Sequence, residues 1–263
     1  MKKVYLYYYL FIGFNCFAQI DKIETAFKDS IAFEADDFIG NDGLGYNYFI
    51  KNSVFIKKNN TETFEYKNLA LGRITHVDIG NPLKIVLFYE NFNTIITLDN
   101  QLNETYKVNF SEFETPIVVA ATGMAAQNRF WIYNNLTQKI GLFDYLKNSY
   151  TDLTQSFDGN LKYYDTNFNE FQWIDDKLNW YSSTIFGKIK NLGTVTNFEK
   201  IQLINSEILL FSVGNQIFYN NLKNNKLQEI KINEKSFKSF FYKDQILTIF
   251  TAEGIINYKI ILP

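Results

Sequence analysis

Residues 73–110 read RITHVDIGNPLKIVLFYENFNTIITLDNQLNETYKVNF. Three corners, Gly80-Asn81-Pro82, Glu90-Asn91-Phe92-Asn93 and Asp99-Asn100, interrupt runs of β-branched and aromatic residues. That alternation predicts four short antiparallel strands joined by tight turns. The strands are not equivalent: residues 83–89 are almost continuously apolar, whereas residues 106–110 alternate polar with apolar. The first pattern fits a strand covered on both faces, and the second fits an outer strand with one face in water.

Working outward, units of similar size recur along the chain. One runs from about residue 31 to 70, with alternation at Tyr46, Tyr48 and Ile50, and a hairpin around Lys58-Asn59-Asn60. Another spans 116–154, with strands expected at 117–121, 130–133 and 140–144. A fourth reaches Gly193, with strands expected at 161–164, 171–174, 178–182 and 184–189. The fifth holds strands at 207–213, 216–219 and 227–232, and the sixth at 237–242, 245–250 and 255–262. Four strands over roughly 40 residues are the arithmetic of a β-propeller blade, and the length accommodates about six. The expected fold is therefore all-β, a propeller of about six four-stranded blades. Five or seven blades, or a β-sandwich, stand as alternatives, because no WD dipeptide or kelch glycine pair marks the repeats. One short helical segment is expected at 21–29, where Ile23, Ala26 and Phe27 share a helical face.

The N-terminus reads as a secretory signal: Met1-Lys2-Lys3 is followed by an apolar run at 4–14, too short to anchor in a bilayer. Cleavage is expected after Ala18, giving a signal at 1–18 and a single propeller domain at 19–263 without a membrane span. Cys16 leaves a lipoprotein signal as the alternative. If Ala18 is the last signal residue, the single cysteine leaves with the signal, and the hydrophobic core must hold the mature chain without disulfides. The net charge is −2 with signs well mixed, so no basic field points to nucleic acid. Sequons at Asn59, Asn103, Asn109 and Asn135 fit chance in an asparagine-rich chain.

Chemistry is sparse. No P-loop, G-x-S-x-G elbow, H-E-x-x-H pair or C-x-x-C occurs, and His76 is the single histidine. On a strand, His76 and Asp78 would lie about 7 Å apart, too far for a direct bond. Asp36, Asp37 and Asp42, with Asn41 and Gly43, invite a calcium reading but lack the D-x-D-x-D-G spacing. Asp175-Asp176 reads as a hairpin turn between Trp173 and Trp180. Tyr163, Tyr164, Trp173, Trp180 and Tyr181 could stack on a sugar or fill space between blades. No catalytic residue, metal or cofactor is assigned.

The string VDIGNPLKIVLFYENFNTIITLDNQLNE at 77–104, together with Asp36-Asp37-Phe38 and Leu71-Gly72-Arg73-Ile74, resembles the periplasmic plug subunits of the Bacteroidetes type IX secretion translocon. The resemblance covers mainly residues 36–104. It implies a non-enzymatic periplasmic protein, monomeric within its complex, that binds a large outer-membrane β-barrel translocon protein and closes its periplasmic opening. Under that reading Asn81, Pro82, Asn93, Asp99 and Asn100 are candidate partner-binding residues, with turn-holding as their other role. Two further classes stay open. One is an envelope glycan- or peptidoglycan-binding module, and the other a carboxylate-dependent hydrolase or lyase.

Overall fold

A computed structural model of the protein describes residues 22–263, so the expected signal, its boundary at Ala18 and Cys16 lie outside the described residues. The described chain forms six sheets. Blade 1 runs from strand Asp37–Asn41 to Thr63–Tyr66, blade 2 from His76–Asp78 to Glu104–Asn109, blade 3 from Val119–Ala125 to Ser149–Asp152, and blade 4 from Leu161–Thr166 to Ile189–Thr194. Blade 5 runs from Lys200–Leu203 to Lys226–Ile230, and blade 6 begins with Ser239–Lys243 and Ile246–Phe250 and continues to Gly254–Lys259. The first strands pack against one another around the axis. This is a six-bladed propeller of four-stranded blades, and the five-blade, seven-blade and sandwich alternatives fall away.

What closes the ring is the N-terminal segment. Strand Ala26–Ala32 supplies the fourth, outermost strand of blade 6, antiparallel to Gly254–Lys259 with Ile31 opposite Ile255. Just before it, Lys22–Ile23 lies parallel to the outer strand of blade 5. Over the described residues of the segment 21–29, from Lys22 on, strands therefore stand where a helix is expected. Its i, i+3, i+4 spacing was real, but an unpaired edge on blade 6 offers six residue pairings that a two-turn helix cannot match. Ile31 accordingly belongs to blade 6 and not to the first unit.

Packing confirms the ring. Six buried apolar clusters occupy six blade interfaces. Strand Ile85–Tyr89 shows how alternation builds them: Ile85, Leu87 and Tyr89 face Tyr48 and Phe55 of blade 1, while Val86 and Phe88 face Phe130 and Ile132 of blade 3. Both faces are buried, as its continuous apolar sequence predicts, and Glu104–Asn109 is the wetter outer strand. Each such side chain contributes about 1.5–3 kcal/mol when fully buried. Between blades 6 and 1, Phe38, Phe49 and Phe250 complete the circle.

Consecutive antiparallel strands put the connections on two faces. Turns after the first and third strands emerge on one, called here the odd face. Turns after the second strand and crossovers to the next blade emerge on the other, the even face.

Candidate functional site

Six first strands bring six unpaired inner edges to the axis, and a free strand edge needs partners for its N–H and C=O groups. Side chains from the neighbouring blade supply them. Asp78 of blade 2 accepts the Met124 N–H of blade 3 at 2.7 Å through one oxygen and the Gly80 N–H at 2.8 Å through the other. Gln202 of blade 5 accepts the Tyr242 N–H of blade 6 at 2.7 Å and donates to the Tyr242 carbonyl at 2.8 Å. Lys243 of blade 6 donates to the Asn41 carbonyl of blade 1 at 3.3 Å. At Gly123 the strands of blades 3 and 4 approach so closely that a Cβ would stand 1.9 Å from Thr166 Oγ1.

The titratable groups of the axis gather among blades 2, 3 and 4. The His76 ring lies 4.8 Å from the Tyr164 ring, tilted by 40°. Burial pulls the imidazole below its usual value, only partly opposed by the Asp78 charge. Tyr164 is pushed up by burial, reinforced by Asp78, Glu90 and Asp165, while the Thr122 backbone pulls the other way. Asp165 is raised to about 6, chiefly by burial, with Asp78 adding to the shift and its Thr166 N–H bond of 2.9 Å opposing it. A neutral imidazole, a phenol and a carboxyl that titrates near neutrality are groups that proton-transfer sites use. Here Asp78 is turned to backbone amides and has no hydrogen bond to His76. Sequence reading missed Asp165, whose signal was the alternation in Tyr163-Tyr164-Asp165-Thr166 on a first strand.

The five residues proposed from the resemblance do not form one patch. Asn81 and Pro82 lie in the first turn of blade 2 on the odd face, where Asn81 Oδ1 accepts the Leu83 N–H at 3.1 Å. Asp99 and Asn100 start the third-to-fourth turn on the same face. Asp99 accepts the Asn103 side-chain amide at 3.0 Å and the Asn103 and Gln101 N–H groups, each at 2.8 Å, and these bonds, the side-chain one foremost, hold its carboxyl below the usual range. Asn100 is exposed but its carbonyl accepts Lys57 Nζ at 2.7 Å, a buried lysine set over the Tyr46 ring in blade 1. Asn93 sits on the even face with φ 48°, and its amide joins blade 2 to the approach of blade 3. Nδ2 donates to the Ile117 carbonyl at 2.6 Å, and Oδ1 accepts the Val119 N–H at 2.9 Å.

Asp99 also belongs to a hidden repeat. The third strand ends in Asp144, Thr184 and Asn221 in blades 3, 4 and 5 and is followed directly by Asn59 and Asp99 in blades 1 and 2, and each of these side-chain oxygens accepts an N–H two or three residues on. Such turns are what short polar side chains do in any sequence.

The remaining candidates resolve into structure. Asp42 is buried and accepts the Leu44 and Tyr46 N–H groups and the Tyr48 hydroxyl. Asp36 accepts the Asn52 N–H, a whole strand away on the opposite face. No group of three metal-ligating side chains stands together among the described residues. Asp175 caps its own hairpin through Lys177 and Asn179. Trp173 and Trp180 are buried between blades, the first stacked on Phe157 and Tyr181, the second donating to Gln172 Oε1 at 3.1 Å, and neither offers a ring face to a sugar. Among the described residues no helix is long and apolar enough to cross a membrane.

No protein-family model matches this chain, and no curated protein matches it. Solved structures do. Virginiamycin B lyase from Staphylococcus aureus is similar at TM-score 0.54 and 14% identity, over 84% of this chain and 78% of that one. YCF48 bound to D1 peptide is similar at TM-score 0.56 and 9% identity, over 93% and 100%. PorZ of the type-IX secretion system of Porphyromonas gingivalis is similar at TM-score 0.44 and 11% identity, over 92% and 39%, a level that carries no argument. At these identities the likeness is one of fold, and it spans an enzyme and a peptide-bound protein alike.

Proposed function

We propose that this protein is a non-enzymatic periplasmic docking module that seats on a large outer-membrane β-barrel translocon protein and plugs its periplasmic opening. The observation that carries the docking part is the commitment of the axial side chains: Asp78, Gln202 and Lys243 spend their polar atoms sealing strand edges between blades. A propeller sealed this way offers its faces, not its axis, to other molecules. The resemblance over residues 36–104 supplies the finer part, the identity of the partner, with Asn81, Pro82, Asp99 and Asn100 on one face of blade 2 as the contacts that remain exposed or half-buried. A broad face suffices for such binding, which needs a complementary surface and no cofactor.

Affinity capture from detergent-solubilised envelope tests this. Recovery of a very large outer-membrane β-barrel is the expected result, and recovery of the protein alone from native membranes overturns it. The His76 ring packed on Tyr164, with Asp165 next along the same strand, favours one second reading, a carboxylate-dependent hydrolase or lyase working at the axis. That reading requires an envelope-substrate turnover abolished by Asp165→Asn in a folded protein.

A further inference from the structure

Between blades 6 and 1 the strands change character along their length. Phe250, Ile255, Phe49 and Ile56 belong to the apolar cluster there. Two residues along each strand toward the odd face, and on the same side of it, stand Thr248, Asn257, Asn47 and Lys58. The apolar filling therefore stops short of the odd face. A cleft of about 210 Å³ opens there, lined by Asn47, Lys58, Asn59 and Asn60 over Ile31 and Phe49. At about 30 Å³ per water it holds about seven waters, room for one pyranose ring.

No carboxylate stands in the wall of this cleft. Lys58 Nζ lies 4.3 Å from the centre of the Phe33 ring, and none of the ion pairs among the described residues involves it. The acidic groups nearby are placed otherwise. Asp29 accepts Asn257 Nδ2 at 2.6 Å and lies 3.5 Å from Lys28 Nζ, and Glu62 is bonded to the Tyr46 hydroxyl. Glu65, opposite Ile56, is exposed and makes no ion pair with Lys58, while Lys259, two residues beyond Asn257, adds a second cation to the same side. Asn59 Oδ1 accepts the Thr61 and Glu62 N–H groups, each at 2.8 Å, which fixes the hairpin that forms the wall. The side-chain amides of Asn47 and Asn60 have no hydrogen-bond partner among the described residues. We infer that this cleft binds a sugar acid, with Lys58 on its carboxylate and the Asn47 and Asn60 amides on its hydroxyls. An ammonium without a counter-charge selects an anion. An amide sets a donor beside an acceptor, which adjacent hydroxyls match. A free amino acid would bring an ammonium for which the wall has no carboxylate, and a phosphate ester would bring close to two charges to one lysine.

Saturation-transfer NMR and calorimetric titration of the folded protein test this, with D-glucuronate, D-galacturonate and D-mannuronate as probes and D-glucose, glucose 6-phosphate and glutamate as comparisons. At least one hexuronate should bind about tenfold or more tightly than glucose, the effect of one charge-assisted hydrogen bond. Lys58→Met should remove that preference, and Asn60→Ala should weaken the hexuronate severalfold. Lys190→Met, in the corresponding groove between blades 4 and 5, should change nothing. Thermal unfolding shows whether each variant folds. Asn60 is exposed, so its variant carries the test if Lys58→Met does not fold. Absence of binding by all three hexuronates, binding unmoved by both cleft variants, or tighter binding of glucose 6-phosphate or glutamate overturns the proposal. The site does not depend on the translocon: a barrel captured equally by wild type and Lys58→Met leaves the docking reading standing whatever the titrations give.

Discussion

At the scale of single residues, the axis holds two groups whose titrations oppose each other. His76 has a folded value below its unfolded one, so acidification through about pH 6.5 protonates the unfolded chain first and lowers stability. Asp165 is raised to about 6 from 3.8, so between those values the folded state binds the extra proton and acidification raises stability. Asp78, which faces both, couples them. Against the wild type, Asp165→Asn should therefore show a steeper loss of stability from pH 6.5 to 4, and His76→Gln a shallower one. Urea unfolding midpoints across that range check both signs, and parallel curves for the three proteins would refute the assignment. Sequence showed His76 and Asp78 plainly, since both lie in one strand. The contribution of Asp165 was hidden, because only the ring brings a first strand of blade 4 beside one of blade 2.

At the scale of elements, one side chain can hold two blades in register. Asn93 combines a left-handed backbone with amide bonds to Ile117 and Val119. Asn93→Gly keeps the backbone and loses the bonds, whereas Asn93→Ala loses both. Chemical denaturation should give losses of about 1–2 kcal/mol for glycine and about 2–3 kcal/mol for alanine. Equal values would show that the left-handed backbone contributes nothing, and an undiminished glycine variant would show the same of the amide bonds. Elements were legible where turn residues bounded them. Blade 2 reads correctly because Gly80, Asn93 and Asp99 sit at its corners. Blade 4 slipped at its end: a strand was expected at 184–189, yet Gly187 with φ 75° places a turn there and the strand is Ile189–Thr194. Lys200–Leu203 went unseen, since four residues with two apolar positions carry too short a period. The exposed apolar tips of the turns escape sequence reading for the opposite reason. Leu83, Leu146, Phe168 and Phe186 are single apolar residues inside polar turns, where no periodicity marks them.

At the scale of the whole molecule, closure depends on one strand that comes from the far end of the chain. A polar relay fastens it: Asp29 accepts Asn257 Nδ2 at 2.6 Å, Asn257 Oδ1 accepts the Thr248 hydroxyl at 2.7 Å, and Asn41 of blade 1 touches Thr248 at 3.5 Å. Starting the chain at Phe33 should cost about 3–6 kcal/mol, from several net strand hydrogen bonds of about 1 kcal/mol each. Hydrogen exchange should then speed up first in Gly254–Lys259, and uniform protection across all blades would contradict this role. The blade count was legible from length and turn spacing, but the identity of the sixth outer strand was not, because its partner lies 228 residues away at Asn257. That separation also sets a timetable. Synthesis makes the strand at Ala26–Ala32 before blades 1 to 5 and its partner after them, so it waits as an open edge through the making of five blades. Such long-range pairing is slow and leaves nascent chains prone to association. The folding ring is most vulnerable until its two ends meet.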